Sequence, residues 1–517
     1  MTGFTEEMKK TYSVCPVCLK RIPAVREQRA DGIYLTKTCP EHGDFSSIIW
    51  RNKIDFGIWR GVRPSVGEQE NLNCPAGCGL CEEHRRATCC TLLEITERCD
   101  MNCIFCFAQQ GECAGNVKAE TVNTAGAVEA AGAVEAAGAV GRVGTAKKQD
   151  PSLEQVKRWI DDLTVPGKTL LQLSGGEPTV REDLPEIVAY AKKAGCKYVQ
   201  LNSNGLRLAQ EEEFVKKLAE AGLSFVFMQF DGVSDDVYEK LRRRPLLEIK
   251  KKAIENCGKY GVGVTLVPVI VPWVNKAQIG EIIRFAVERS PKVRGVHFQP
   301  VSYFGRIPEV PKDEDRFTLD ELMAAVVGQT DGLVRLENIA PSCCDHPMCG
   351  FHGDFIVMPG RRLFALTHYK GTEPVKDDEC CCGKDPAEMN REFVGRRWER
   401  RDETPAEDRG CCCGEAEAEE SCCCGEAEPE ESRCCGSDSM EMVGEVERDD
   451  EKEVDMTDME SFLRRARSHG FTITSMAFQD AGNLDIERLR QCSLHVYKDG
   501  KLVPFCANYL SPMGGDA

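Results

Sequence analysis

The chain has 517 residues, of which 42% are hydrophobic and 29% charged, so it is long enough for about three domains and is neither collagenous nor wholly disordered. Its formal net charge of -18 argues against broad nucleic-acid binding, because phosphate contacts need clustered Lys and Arg. Its 30 cysteines, in a long chain without a signal-peptide pattern at its start, indicate metal and redox chemistry rather than a disulfide scaffold.

The N-terminal segment carries two short metal-binding motifs. Cys15 and Cys18 form a C-x2-C pattern, and Cys39 and His42 form a C-x2-H pattern about 20 residues later, a spacing that suits a tetrahedral metal site. This donor set accepts either zinc or a rubredoxin-like single iron, and both stay open. Zinc would fold this segment, whereas iron there could pass electrons onward. We therefore predict a zinc-knuckle or rubredoxin-like domain over residues 1–60.

A C-x3-C-x2-C triplet follows in the next segment, residues 61–90. It consists of Cys74, Cys78 and Cys81, and Cys89 is the nearest candidate for a fourth ligand. This spacing can hold an iron-sulfur cluster, and a zinc knuckle is the alternative. We predict an auxiliary cluster in this segment.

Strand-like apolar runs alternate with helical patterns over residues 91–335. The predicted strands are Leu92–Thr96, Thr169–Leu173, Tyr198–Asn202, Ser224–Phe230, Val262–Pro268 and Gly295–Gln299. Ser152 with Gln155, and Thr318 with Glu321, have the spacing of capping boxes at helix starts. The alternation predicts parallel strands in an α/β barrel or partial barrel, whose chemistry gathers at the carboxyl ends of its strands.

A second C-x3-C-x2-C triplet comes directly after the first of these strands. Its members, Cys99, Cys103 and Cys106, cannot complete a tetrahedral zinc site by themselves. Three thiolates can instead hold three irons of a [4Fe-4S] cluster and leave the fourth iron open. An open iron is a catalytic position.

The next strand ends in Leu-Ser-Gly-Gly-Glu-Pro, which includes Ser174, Gly175, Gly176 and Glu177. Together with the cysteine triplet, this motif resembles the radical S-adenosylmethionine (SAM) enzymes. The resemblance implies that the backbone of this turn meets the amino group of SAM. It also implies that Asn202, Ser203 and Asn204 approach its ribose and carboxylate, and that Val267 lies near its adenine.

Other blocks resemble a narrower archaeal group that contains the tetraether lipid synthases, some members of which are described as dihydropterin methyltransferases. The blocks are the Cys74 triplet, Pro341–Cys349 and the C-terminal stretch from Gly470 to Cys506. The resemblance implies a partial (β/α)6 radical SAM barrel and a C-terminal iron-sulfur cluster domain over residues 336–371 and 456–517. It groups Cys344, Cys349, Cys492 and Cys506 as ligands of a further auxiliary cluster, although one of them could serve the Cys74 cluster instead of Cys89.

Two compositional insertions interrupt this pattern. Residues of about 115–148 contain an alanine-rich six-residue repeat, and residues 372–455 are rich in Cys and Glu. Few of their side chains are large and apolar, so we predict that both are mobile and that the second is disordered. Chelation of metal by its adjacent cysteines is the alternative interpretation.

The spacing of the N-terminal motifs implies one mononuclear Fe or Zn. The resemblance implies one SAM-binding and two auxiliary [4Fe-4S] clusters, SAM, and an electron donor such as ferredoxin. Our leading hypothesis is an enzyme that uses a 5'-deoxyadenosyl radical to couple sp3 carbons of archaeal diether phospholipids into tetraether or macrocyclic lipids. The alternative is methylation of a small heterocycle such as a dihydropterin, and a non-catalytic iron-sulfur electron carrier is the hypothesis from another class. A lipid needs an apolar tunnel, for which Phe227, Val269 and Ile270 are candidates, whereas a pterin needs a polar pocket.

The expected location is the cytoplasm, with peripheral contact at the inner membrane face, because thiolate-held clusters need a reducing compartment. The longest mostly apolar run, Val262 to Val274, is shorter than the roughly 18 residues that a spanning helix needs. Several further residues have either a site role or an ordinary structural role. They are His84, His297, His346, Asp231 and Gln299.

Overall fold

The fold is that of a computed structural model, which describes residues 6–61, 74–75, 79–107, 150–307, 309–342, 344–371, 386–399 and 458–513. The predicted insertion at about 115–148 lies outside the described residues, and so do Cys78 and Cys343. Within the described ranges, no helix has the length and apolar character that crossing a membrane requires.

The N-terminal residues form a four-stranded antiparallel sheet in the order β1-β2-β3-β4. Its strands are β1 (Lys10–Val14), β2 (Arg21–Gln28), β3 (Ile33–Cys39) and β4 (Gly43–Trp50), with α1 (Glu6–Lys9) before them and α2 (Phe56–Arg60) after them. The side chains of β2 alternate between buried and exposed, as expected for a sheet with one face covered. The covered face packs on the C-terminal part of the chain.

Buried charges hold this small sheet in place. Arg26 on β2 donates to Asp485 at 2.6 and 2.9 Å and to Glu487 at 3.0 Å, and all three side chains are buried. Lys37 on β3 donates to the carbonyl oxygen of Ala481 at 2.8 Å. Because breaking a buried ion pair leaves an uncompensated charge, these contacts fix how the N-terminal sheet docks.

A thirteen-stranded sheet forms the centre of the molecule, and six of its strands are the parallel strands that the sequence predicts. They are β5 (Cys90–Thr96), β6 (Leu170–Gly175), β7 (Tyr198–Ser203), β8 (Phe225–Gln229), β9 (Gly263–Val267) and β11 (Val293–Pro300), with the short β10 (Val269–Ile270) beside β11. Their order β5-β6-β7-β8-β9-β11 is that of a partial (β/α)6 barrel, which confirms the predicted α/β fold class.

Helices connect these strands. They are α3 (Leu153–Leu163), α4 (Leu184–Ala194), α5 (Leu206–Gln210), α6 (Glu212–Glu220), α7 (Asp235–Arg242), α8 (Leu247–Lys259), α9 (Ile279–Glu288) and α10 (Leu319–Gly328). The predicted capping box of Thr318 and Glu321 starts α10, with both hydrogen bonds made. Ser152 caps α3 by accepting from the backbone of Gln155.

Segments from the C-terminal half extend both edges of the sheet. Beyond β11 come β15 (Gly470–Ser475), β13 (Phe351–Met358), β12 (Ala340–Pro341) and β14 (Arg362–Ala365). Beyond β5 come β16 (Leu494–Lys498) and β17 (Lys501–Pro504). Both β15 and β16 run parallel to their barrel neighbours, so the C-terminal residues continue the same sheet.

Alternation along the strands gives the sheet two different faces. Leu93, Leu173, Leu201, Val226 and Leu266 point to one face and belong to the main core cluster, packed with the helices. The residues next to these along each strand point to the opposite face of the sheet, which is called the inner face. The rings of Phe227 on β8 and His297 on β11 lie 5.4 Å apart across the intervening β9, so the inner face is concave.

The predicted disordered segment 372–455 contains a helix, α11 (Pro386–Trp398), and over these residues the prediction is wrong. Trp398 is 5% exposed, and its ring lies 5.4 Å from Phe225 and 4.8 Å from Phe227 on the inner face. Burial of a large aromatic side chain stabilises this helix although the flanking composition does not favour it. The rest of the segment lies outside the described residues. The remaining helices are α12 (Met459–His469), α13 (Ile486–Arg490) and α14 (Phe505–Asn508).

Candidate functional site

The cysteine loop after β5 lies at the carboxyl end of the parallel strands. Cys99 is buried at 6% exposure, whereas Cys103 and Cys106 are half-buried. The backbone of Ile104 donates to the carbonyl oxygen of Leu241 on α7 at 3.1 Å. Cys106 pairs with Arg306 through backbone bonds of 2.9 and 3.3 Å. The loop is therefore held by the end of β5, by α7 and by the segment after β11, so that its three thiols lie on one side of the sheet.

The donor set of this loop suits an iron-sulfur cluster. Cys99, Cys103 and Cys106 are its sulfur donors, and thiolate sulfur is the ligand of such clusters. Burial raises the pKa of the Cys99 thiol, which keeps that group protonated until a metal displaces the proton. Arg242 contacts Cys103, so a guanidinium faces one of the sulfurs. Three donors with a positive group beside them fit a cluster that keeps one open iron.

The turn of Gly175 and Gly176 is hydrogen-bonded directly to this loop. The backbone of Gly176 donates to the carbonyl oxygen of Thr96, and that of Glu177 donates to the carbonyl oxygen of Arg98, both at 2.8 Å. A Cβ atom on Gly176 would lie 2.1 Å from the Arg98 oxygen. Gly175 has a φ of +127° and no room for a side chain either. Glycine is required here because the turn lies against the cysteine loop.

The side chain of Glu177 points into the protein. Its carboxylate accepts from the hydroxyls of Thr179 at 2.6 Å and Ser203 at 2.8 Å and from the backbone of Asn204 at 2.6 Å. Burial raises its pKa, and these hydrogen bonds work in the opposite direction. Glu177 therefore ties the end of β6 to the end of β7. Glu177 can therefore contact a bound cofactor only through its backbone.

The other predicted SAM contacts divide into two sets. Ser203 and Asn204 are buried and use their side chains internally, since Ser203 donates to Glu177 and Asn204 donates to Asp100 at 2.6 Å. Asn202 and Val267 are half-buried on the inner face. Ser174 is buried and accepts from Asn202 at 3.4 Å. Asn202, Val267 and Ser174 form the second set, and only their side chains face the interior of the partial barrel.

The inner face of the sheet is largely polar toward the carboxyl ends of the strands, whereas Leu170, Tyr198, Phe225 and Trp398 form an apolar cluster at its other end. Beside Asn202 it carries half-buried side chains with hydrogen-bonding atoms on five further strands: Glu94, Gln172, Gln229, His297, Gln299 and Thr474. His297 Nδ1 lies 2.8 Å from the hydroxyl of Thr474, and burial lowers the pKa of His297 to about 4. Gln299 also lies on this face. The lining suits a polar ligand that needs several hydrogen bonds.

Asp231 has a scaffold role. It is fully buried and accepts from the Arg242 guanidinium at 2.7 and 2.8 Å and from the backbone of Val269 at 3.2 Å. Lys250 lies nearby, donates to the backbone of Asn204 and to Gln229 at 3.1 Å, and has its pKa lowered to about 8 by burial. Sequence reasoning missed Arg242 and Lys250, because each lies on a helix outside every motif.

The four predicted ligands of the N-terminal metal site lie together. The ligand atoms of Cys15, Cys18, Cys39 and His42 all lie within 4.8 Å of one another. His42 Nδ1 is 3.6 Å from the sulfur of Cys15 and 3.4 Å from that of Cys39. Cys39 is the last residue of β3, and Cys15 follows the last residue of β1, so strand ends set the geometry. Three thiols and one imidazole fit a tetrahedral metal ion.

The auxiliary cysteines gather in one region at the C-terminal edge of the sheet. Cys349, Cys492 and Cys506 line one small cavity of about 20 Å³. Cys344 lies instead beside Cys89, whose pKa is lowered by a hydrogen bond with it. The backbone of Cys89 donates to the carbonyl oxygen of Ser493, directly after Cys492, at 2.8 Å. This contact joins Cys89, which is predicted for the Cys74 cluster, to Cys344, which is predicted for the other auxiliary cluster.

Two of the ambiguous histidines have internal partners. His84 Nε2 lies 2.8 Å from the carbonyl oxygen of Cys492 and 3.1 Å from His495 Nε2. His346 Nε2 lies 3.0 Å from Glu487, and its Nδ1 accepts from the backbone of Met348 at 3.1 Å. His346 is therefore a structural residue. Cys74 is buried and Cys81 is half-buried.

Two protein families match this chain. The family described as the radical SAM superfamily matches residues 93–286, which include the cysteine loop and the Gly-Gly turn. The family described as the HMPTM N-terminal zinc ribbon domain matches residues 7–51, which include all four ligands of the N-terminal site.

Curated relatives match over part of their length. A 7,8-dihydro-6-hydroxymethylpterin dimethyltransferase of Methanocaldococcus jannaschii is 38% identical over 341 residues, which cover 64% of this chain and 61% of that protein. An Fe-coproporphyrin III synthase of Methanosarcina barkeri is 28% identical over 233 residues, 45% of this chain and 48% of that protein. The crystal structure of Streptococcus suis SuiB has 16% identity and a TM-score of 0.32, over 47% of this chain and 46% of that one. The chain thus spans less than two thirds of each of these relatives.

Proposed function

We propose that this chain, whose residues 93–286 match the radical SAM superfamily and whose residues 7–51 match a zinc ribbon domain, is an enzyme that methylates a small polar heterocycle of the dihydropterin class. The net change replaces a C–H bond of the heterocycle by a C–CH3 bond. One SAM, cleaved by one electron, removes the hydrogen as 5'-deoxyadenosine. A second SAM donates the methyl group and leaves as S-adenosylhomocysteine, and a second electron from the reductant completes the new C–C bond. Methylation of a heterocycle is the alternative hypothesis of the sequence analysis rather than its leading one.

The polar inner face of the sheet carries this proposal. Glu94, Gln299 and His297 present a carboxylate, an amide and an imidazole toward the space where the substrate would lie. Burying such groups against an alkyl chain costs free energy because their hydrogen bonds to water are lost without replacement. Of the candidates for an apolar tunnel, Ile270 is buried in the main core and Phe227 packs on Trp398. A pterin ring offers donors and acceptors that match the lining.

The relative from Methanocaldococcus jannaschii supports the same substrate class. Its name specifies a dihydropterin and a methyl transfer, and the shared 341 residues at 38% identity are 64% of this chain. Because the chain covers 61% of that protein, both activity and substrate are proposals here.

In this proposal Cys99, Cys103 and Cys106 hold a [4Fe-4S] cluster with an open iron. When bound, this cluster supplies the electron that cleaves SAM to methionine and a 5'-deoxyadenosyl radical. The backbone of Ser174–Glu177 would bind the methionine end of SAM, and Asn202 and Val267 would contact its nucleoside end. Glu177, Ser203 and Asn204 would position these groups through the hydrogen bonds that join β6 to β7.

The remaining cysteines would hold supporting metal centres. Cys349, Cys492 and Cys506 would share one auxiliary [4Fe-4S] cluster, and Cys74, Cys78 and Cys81 a second, with Cys89 and Cys344 as the candidates for the fourth ligands. A protein such as ferredoxin would deliver electrons. Zinc in the N-terminal ribbon would have a structural role, because the ribbon's buried ion pairs with Asp485 and Glu487 fix the segment that precedes Cys492. We place this activity in the cytoplasm, where thiolate ligands stay reduced.

The deciding experiment compares two substrates with one anaerobically reconstituted preparation. The protein, SAM and a reductant are incubated either with 7,8-dihydro-6-hydroxymethylpterin or with an archaeal diether phospholipid. Mass spectrometry then looks for a pterin heavier by one or two methyl groups and for a chain-coupled lipid. Methylated pterin supports the proposal. Coupled lipid without methylated pterin contradicts the proposal and supports the tetraether lipid hypothesis instead.

A further inference from the structure

Glu94 is a carboxylate that no motif of the sequence accounts for. It lies on β5 between Leu93 and Ile95, which point to the core face, so Glu94 itself points to the inner face and is half-buried there. A charged residue inside the apolar run Leu-Leu-Glu-Ile-Thr is costly unless it serves the ligand or a partner. Its place on the inner face suits contact with a ligand.

The strand register sets Glu94 in a row with three other side chains. Glu94 is paired with Ser174 on β6, Ser174 accepts from Asn202 on β7, and Asn202 is paired with Phe227 on β8. A carboxylate, a hydroxyl, an amide and an aromatic ring thus follow one another across four neighbouring strands. Ser174 belongs to the proposed SAM segment, so a ligand held by Glu94 would lie beside SAM.

Tyr509 fixes the orientation of this carboxylate. Its hydroxyl donates to Oε1 of Glu94 at 2.8 Å, and its ring lies 5.1 Å from Phe107 of the cysteine loop and 4.6 Å from Phe505. Tyr509 is 7% exposed, so its own position is fixed by packing. Within the described part of the chain, no hydrogen bond or ion pair reaches the second oxygen of Glu94. The carboxylate is oriented at one oxygen and open at the other.

Burial raises the pKa of Glu94, and the hydrogen bond from Tyr509 opposes this rise. A carboxylate with two oxygens has about four lone-pair sites, of which Tyr509 uses one. The group can therefore accept two further hydrogen bonds from one ligand without losing Tyr509.

We propose that Glu94 is the specificity-determining residue for the substrate, and that it binds an amidine-like edge in which a ring N–H and an exocyclic amino group point the same way. This inference rests on the proposed function. The 2-amino-4-oxopyrimidine half of a dihydropterin has such an edge, and its two parallel N–H donors match the two oxygens of a carboxylate in the bidentate manner. A ring without the 2-amino group makes only one of the two bonds.

The isosteric variant Glu94→Gln separates recognition from a merely structural role. Its amide oxygen still accepts from Tyr509, so the tether to the C-terminal segment is kept, while one acceptor of the bidentate pair becomes a donor. Tyr509→Phe makes the opposite change, because it removes the tether and leaves the carboxylate. Glu220→Gln on α6, where the side chain is exposed, is the matched control.

The test measures equilibrium binding and turnover separately, on reconstituted protein with SAM. The ligands are 7,8-dihydro-6-hydroxymethylpterin and its analogue with hydrogen in place of the 2-amino group. We expect the wild type and Glu220→Gln to bind the pterin about 10- to 100-fold more tightly than the analogue, as is typical of a hydrogen bond to a charged group. In Glu94→Gln this ratio falls to about 1–3, whereas Tyr509→Phe and Glu94→Asp keep most of it.

The outcomes distinguish the two proposals. If Glu94→Gln retains the wild-type binding ratio, the role of Glu94 is overturned, and methylation of the pterin by the wild type still supports the proposed function. If the wild type binds the pterin with the expected ratio but forms no methylated product, the proposed reaction fails and the role of Glu94 in binding stands. If the wild type does not bind the pterin, both are overturned.

Discussion

The indole nitrogen of Trp398 donates a hydrogen bond to the hydroxyl of Thr472 at 2.9 Å. This bond joins the last residue of α11 to β15, and the same indole ring packs on Phe225 and Phe227 of β8. Since β8 and β15 are separated by two strands in the sheet, Trp398 spans the concave inner face and closes it from one side. A substrate would then enter from the side of the cysteine loop.

Replacing Trp398 by Ala should destabilise the fold by about 3–5 kcal/mol, the usual cost of removing a large buried aromatic side chain. Thermal unfolding followed by circular dichroism measures the change in melting temperature that reports this loss of stability. Trp273→Ala is the matched control, because Trp273 is 55% exposed and its loss should change stability by no more than about 0.5 kcal/mol. Equal effects of the two variants would show that α11 does not close the inner face.

Cys103→Ala should abolish formation of 5'-deoxyadenosine, because two thiolates are too few for a cluster with a single open iron. Chromatography of the products after incubation with SAM and reductant measures this, and the iron content of the variant should fall with it. Cys257→Ala provides the control, since Cys257 is buried in the main core away from every proposed ligand. Continued 5'-deoxyadenosine formation by Cys103→Ala would refute the assignment of the cluster loop.

Gly176→Ala should weaken SAM binding at least about tenfold, which corresponds to about 1.4 kcal/mol. The added methyl group would meet the Arg98 carbonyl oxygen at 2.1 Å, so the turn must move away from the cysteine loop. Equilibrium dialysis with labelled SAM measures the loss. At Gly328, the last residue of α10, an added Cβ meets nothing within 4 Å, and Gly328→Ala should bind SAM as the wild type does.

Cys18→Ser should remove one metal ion per chain from the N-terminal ribbon while leaving the iron of the clusters in place. The affinity of such sites depends on a complete set of thiolate and imidazole ligands, and metal binding and folding are coupled. Elemental analysis for zinc and iron measures the stoichiometry and identifies the metal. Cys196→Ser changes a thiol of the main core and should lose no metal. Loss of iron but not zinc from Cys18→Ser would favour the rubredoxin-like alternative.

His297 should make stability depend on pH between about 4 and 6.5. Its pKa falls to about 4 on burial, so between these values the unfolded chain binds a proton that the folded chain does not. The free energy of unfolding is therefore not reduced by this group above pH 6.5, and it decreases as the pH falls toward 4. Because His297 is half-buried, we expect about 1–3 kcal/mol rather than the full shift.

Urea unfolding of the wild type and His297→Gln at several pH values isolates this contribution from those of the other histidines. The difference between the two proteins should shrink as the pH falls from 6.5 to 4. A difference that stays constant over this range would show that folding does not lower the pKa of His297.

The strands and the cysteine loop could be predicted because their signals are local. Each parallel strand is an apolar run buried on one face, and each motif directly follows a strand end. Other features depend on contacts between distant segments. Tyr509 meets Glu94 across 415 positions of the sequence, and Arg242 meets Asp231 from a separate helix. The helix α11 escaped prediction because its neighbours in sequence are Cys- and Glu-rich, while its stability comes from Trp398 packed on a sheet formed much earlier in the chain.

The two outer neighbours of the six-stranded barrel core both come from residues 470–498, far along the chain from β11, since β16 adds to β5 and β15 adds to β11. During translation β15 and β16 leave the ribosome after the six barrel strands, so the nascent barrel would wait with two unpaired edges, the kind of surface that recruits other chains. The long sequence separation between partners also predicts slow closure. Productive synthesis of this protein would therefore benefit from a chaperone that covers both edges until β15 and β16 emerge.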